Sequence, residues 1–67
     1  MQTLLINREE NKATLYNGPY INSSCIIVKF DKVAYVTERD KTHIVYDDDN
    51  NSILVLPINK TIIVYSK

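Results

Sequence analysis

The chain has 67 residues, 45% of them apolar and 24% charged, with eight basic residues balanced by eight acidic ones. That length holds one domain, residues 1–67, and the composition is that of a globular protein rather than a disordered one. It excludes a membrane-crossing helix, which needs roughly 18 consecutive apolar residues, and the balanced charge argues against a strong sequence-independent grip on nucleic acid.

Nine Ile, six Val and five Thr stand against two Ala. Such β-branched residues lose rotamer freedom in helices and pack well on pleated sheets. No long stretch repeats apolar residues at helical spacing. The pattern predicts seven short strands. The first two are residues 3–6 and 13–16, joined by a polar link over 7–12. Asn17-Gly18-Pro19 then breaks the chain, since Pro cannot donate to a ladder and Gly supplies positive φ. After the polar Asn22-Ser23-Ser24 come strands at 25–30 and 33–37, with Asp31-Lys32 read as a two-residue hairpin turn. Arg39-Asp40 and residues 47–51 read as longer hairpin loops around a strand at 42–46. The last strands, 53–56 and 61–65, flank Asn59-Lys60, a second expected hairpin turn. The expected fold is all-β: an antiparallel meander of five to seven short strands forming a small barrel or sandwich.

Register follows from those turns. An Asn59-Lys60 hairpin puts Leu54, Leu56, Ile58, Ile63 and Tyr65 on one face and Ile53, Val55, Pro57, Ile62 and Val64 on the other. Both faces are then apolar, where a half-exposed hairpin alternates. An Asp31-Lys32 hairpin likewise groups Ile26, Val28, Phe30, Val33 and Tyr35 on a core face. A domain this small buries only about 60% of its unfolded surface. Ile53, Val55, Ile62 and Val64 are therefore expected to meet a second surface. Either the N-terminal segment covers them or a neighbouring chain does. One cysteine, Cys25, forms no intrachain disulfide, and one histidine, His43, leaves no Cys/His zinc site in a single chain. Among the usual supports of small domains, association remains open.

Candidate chemistry is sparse. Asp47, Asp49 and Asn51 have the spacing that opens a calcium-binding loop, but Ser52 and Ile58 stand where Gly and Glu are required. No metal or cofactor is expected. The run Asp47-Asp48-Asp49 reads as a solvated loop or as an acidic patch for a basic partner. His43 shares a face with Val45 and Asp47, without a nucleophile beside it. Free Cys25 reads as a small buried hydrophobe. A single Gly rules out a glycine-rich phosphate loop. Tyr35 and Tyr65 fall on expected core faces, whereas Tyr16 and Tyr20 flank the Asn17-Gly18-Pro19 turn and are expected at the surface. Tyrosines serve both protein interfaces and base stacking. Lys29, Lys32, Arg39 and Lys41 lie in one stretch and could gather into a basic patch. Three Asn-x-Ser/Thr triplets, at Asn22, Asn50 and Asn59, follow from the abundance of Asn.

The expected function is non-enzymatic binding by protein–protein contact, in a homo-oligomer. Ile53, Val55, Ile62, Val64, Tyr16, Tyr20, Asp47, Asp48 and Asp49 are the expected contacts. The alternatives are a small nucleic-acid-binding barrel and, behind it, a hydrolase using His43 with Cys25 or Asp47. The N-terminus lacks a basic, apolar leader, so a cytoplasmic location is expected. Abundant Asn, Ile, Lys and Tyr suit AT-rich codons. They suggest a low-GC bacterium or a phage or other mobile element, whose accessory proteins inhibit or modulate host factors.

Overall fold

The computed structural model describes residues 1–66. Its seven strands are β1 (Gln2–Asn7), β2 (Lys12–Asn17), β3 (Ile26–Phe30), β4 (Tyr35–Arg39), β5 (Thr42–Tyr46), β6 (Ser52–Pro57) and β7 (Thr61–Ser66). Short 3-10 turns cover Ser23–Cys25 and Ile58–Lys60. Each strand expected from the sequence is present. Their pairing differs from the meander.

The strands form two sheets, one ordered β3-β2-β1-β7 and one ordered β4-β5-β6. The sheets do not close into a barrel. Their inner faces share one core: Leu4, Ile6, Ala13 and Leu15 from the first sheet, Val45 and Leu56 from the second, and Val33 between them. Strand β1 is central to the larger sheet. Of its run Leu4-Leu5-Ile6, Leu4 and Ile6 point into the core and Leu5 lies half-buried on the outer face.

The two Gly-free turns expected at Asp31-Lys32 and Asn59-Lys60 are not hairpins. Each carries the chain from one sheet to the other. A two-residue hairpin of the favoured type holds both central residues at positive φ, and none of these four residues does so. Residues 31–34 cross instead by burying Val33, whose N–H donates to the Asn11 carbonyl at 2.7 Å. The Ile58–Lys60 turn is tied down by the Ile58 N–H, which donates to the Lys41 carbonyl at 3.1 Å. Strand β7 then pairs in parallel with β1, with Leu4 beside Ile63 and Leu5 beside Val64.

The true two-residue turn is Asp40-Lys41, where Arg39 faces Thr42 and both turn residues have positive φ, 53° and 63°. Asn11 (57°) closes the β1–β2 turn. There the Asn7 side chain accepts from the N–H groups of Glu9 and Glu10.

These pairings relocate the expected apolar face. Val55 lies on the outer face of the smaller sheet, beside Ile44. Ile62 and Val64 lie on the outer face of the larger sheet, beside Thr3 and Leu5. The two groups sit on opposite sides of the sandwich. Ile53 leaves the set altogether. A bulge between the Val45–Leu54 and Tyr46–Ser52 pairs makes it an extra residue, and it packs on the core together with Leu54.

Candidate functional site

The outer face of β4-β5-β6 presents an aromatic and aliphatic surface. Tyr35 and Tyr46 are directly opposed across β4 and β5, and their rings stack with centroids 4.9 Å apart and 19° between planes. The next cross-strand row is Thr37, Ile44 and Val55. Arg39, Thr42 and Pro57 follow. Tyr35 is 43% exposed and Val55 57% exposed. Strand alternation sends Val36, Val45 and Leu54 to the core and these neighbours to solvent.

The acidic loop borders this face. Asp47 builds the loop from within: its Oδ1 accepts from the N–H groups of Asp49 and Asn51, each at 2.9 Å. Asn50 takes a left-handed backbone at φ 62°. Its Oδ1 accepts from the Tyr35 hydroxyl at 3.0 Å, which couples the loop to the ring stack. Asp48 and Asp49 are left exposed at the rim.

A second feature is an open cleft of about 340 Å³ at one end of the sandwich, lined by Ile6, Asn7, Arg8, Asn11, Val33, Ala34, Tyr35, Val36 and Tyr65. The Arg8 guanidinium lies 4.1 Å from the centre of the Tyr65 ring, a cation–π contact.

Other expected contact residues are dispersed. Tyr20 is exposed, 77%. Tyr16, expected at the surface, is buried at 8% exposure. It sits on the outer side of the larger sheet between Thr3 and Ile26. The Thr3 hydroxyl donates to the Gly18 carbonyl at 2.8 Å, which holds the following turn close. Ile62 is 38% exposed and Val64 half-buried. Tyr35 and Tyr65, expected in the core, are both exposed: the β4–β5 pairing puts Tyr35 on the outer face, whereas Tyr65 keeps the inner face beside Ile6 but lies near the end of edge strand β7.

The four basic residues do not gather. Lys29 is on β3 and Lys32 in the link after it, whereas Arg39 and Lys41 are at the far end of β4. A five-residue strand of roughly 16 Å lies between Lys32 and that far end. Arg39 Nε also lies 3.8 Å from Asp40. His43 and Cys25 are not brought together. His43 is on the smaller sheet, its Nδ1 3.8 Å from a Glu38 oxygen and without a hydrogen-bond partner among the described residues. Cys25 ends the turn leading into the larger sheet. No group of three or more His, Cys, Asp or Glu has metal-binding geometry among the described residues. No described helix is long and apolar enough to cross a membrane.

The sequence reading missed Tyr46, Tyr35 and Ile44 as surface residues. The usable signal was the alternation Tyr35-Val36 against Val45-Tyr46, once β4 and β5 are aligned on the Asp40-Lys41 turn. A scan against protein-family models finds no match, and comparisons with curated proteins and with solved structures find none either.

Proposed function

We propose that this protein is a non-enzymatic binding module that works by protein–protein contact through the outer face of β4-β5-β6. The observation that carries the reading is the stacked Tyr35–Tyr46 pair beside exposed Val55. Rigid aromatic rings next to aliphatic side chains make good contact surface at little entropic cost, and Tyr is enriched at binding hot spots. Asp48 and Asp49 on the rim complement basic groups. The partner is therefore a protein with an apolar patch bordered by Lys or Arg. A module this small acts by occupying a partner's surface, so its effect is inhibition or modulation of that partner. A host factor of a low-GC bacterium is the partner class the composition suggests.

The test compares proteins retained by wild type with those retained by Tyr35→Ser, Val55→Lys and the control Tyr20→Ser. The reading expects a protein held by wild type and the control and lost from both face variants. Retention that ignores the face variants overturns it.

A second reading, nucleic-acid binding, is favoured by one observation only, the Arg8–Tyr65 contact at the mouth of the cleft. It expects single-stranded oligonucleotides to bind with a steep loss of affinity on adding salt, and Tyr65→Ala to weaken binding. No binding at low salt removes it.

A further inference from the structure

Among the described residues four strand edges are unpaired: β3 and β7 in the larger sheet, β4 and β6 in the smaller. Exposed edges invite pairing with another chain, and proteins block them with charges, bulges or Pro. Three of these edges are blocked. Strand β3 carries Lys29 and a bulge at Ile27. Strand β4 carries Glu38 and Arg39. Strand β6 carries the Ile53 bulge and ends in Pro57. Strand β7, Thr-Ile-Ile-Val-Tyr-Ser, has no charge, no Pro and no irregularity in its pairing with β1.

We propose that the free edge of β7 is the self-association site, where it pairs antiparallel with β7 of a second copy, centred on Ile63. This deepens the oligomer expected from the sequence and is independent of the β4-β5-β6 face. The backbone is set for it. The Ser66 carbonyl accepts from the Arg8 N–H, so by alternation Ile62, Val64 and Ser66 address β1. Ile63 and Tyr65 then turn their N–H and C=O groups to the open edge, and Thr61 its C=O, the Thr61 N–H already donating to the Ile58 carbonyl.

The side chains fit a two-fold axis as well. A symmetric antiparallel pair keeps like faces together, so paired numbers differ by an even count. Centring on Ile63 places Ile62 against Val64 of the copy on the outer face. Thr61 meets Tyr65 on the inner face. The facing Ile63 residues then exchange both N–H···O=C bonds, and each Tyr65 N–H donates to the Thr61 carbonyl of the copy. Every cross-strand pair is β-branched with β-branched, or β-branched with aromatic, the combinations that stabilise sheets. The two strands bring no charged residue of their own to the pairing; the Arg8 guanidinium lies over the Tyr65 ring. A foreign strand meets the edge as readily, but only a second copy guarantees this match. The interface is smaller than the standard ~1,600 Å², so association belongs in the micromolar to millimolar range.

Sedimentation equilibrium on the full chain tests this. Wild type is expected to form a concentration-dependent dimer. Ile62→Lys and Val64→Glu each weaken it by roughly tenfold or more. Mixing the two variants restores dimer, because the new charges face each other only in this register. If either charge unfolds the chain by circular dichroism, the doubly substituted Ile62→Thr, Val64→Thr chain keeps β-formers in place and is expected to dimerise more weakly. A wild-type monomer at millimolar concentration, a dimer indifferent to these changes, or charge variants that do not recover on mixing each overturns the proposal. None of these outcomes touches the partner-binding reading, which is scored on Tyr35 and Val55.

Discussion

Leu4 and Ile63 lie side by side in parallel register, Leu4 with no exposed surface at all. This pair joins the two ends of the chain: Leu4 belongs to the buried core and Ile63 packs against it. Replacing Leu4 by Ala removes methyl groups from a site packed on every side, with an expected cost of about 2–5 kcal/mol. For a domain of this size that is about half of its stability. Urea denaturation is expected to show a largely unfolded variant or a midpoint shifted far down.

Ile53 and Val55 separate the observed β6 from the hairpin expected from the sequence. The hairpin puts both on one outer face. The bulge turns Ile53 to the core and leaves Val55 in solvent. Ile53→Lys is expected to cost more than about 2 kcal/mol, because its ammonium loses solvation. Val55→Lys stays within about 0.5 kcal/mol of wild type. Equal denaturation midpoints for the two variants contradict this placement.

Lys41 sits at φ 63° in the Asp40-Lys41 turn, a region that disfavours side chains with a Cβ. Lys41→Gly creates the Asp-Gly pair that such turns prefer. The expected gain is about 1 kcal/mol, which raises Tm by roughly 4–8 °C in a domain of this size. A thermal scan showing no rise, or a fall, contradicts the assigned turn.

Asp47 and Asp48 are neighbours with different work. Asp47 accepts two backbone N–H groups and shapes the loop, so Asp47→Ala is expected to cost about 1–2 kcal/mol. Asp48→Ala is expected to change stability by less than about 0.5 kcal/mol while weakening binding to a basic-rimmed partner. Chemical denaturation and partner affinity, measured on both variants, separate the two roles.

The strands themselves were legible because clusters such as Ile26-Ile27-Val28 and Ile62-Ile63-Val64 suit little else. Their partners were not. A short polar link without Gly looks alike whether it reverses a strand or crosses between sheets, and Asp31-Lys32 and Asn59-Lys60 both cross. The surplus of apolar residues near the C-terminus was real. Its cause was the placement of β6 and β7 in different sheets, which local alternation does not reveal. Bulges are equally silent: nothing in the composition marks Ile53 as an extra residue. That shift scattered the expected contact face, and the mistaken hairpin hid Tyr35. The acidic loop was read correctly as a loop, although the division of labour between Asp47 and its neighbours required the backbone.

Backbone amide hydrogen exchange along β7, read at micromolar and at millimolar protein, tests the central claim most directly. The Ile62 and Val64 amides, directed at β1, are expected to be protected at both concentrations. The Ile63 and Tyr65 amides, directed at the open edge, are expected to exchange fast when dilute and slow sharply when concentrated. Exchange at Ile63 and Tyr65 that is the same at both concentrations contradicts an edge closed by a second copy.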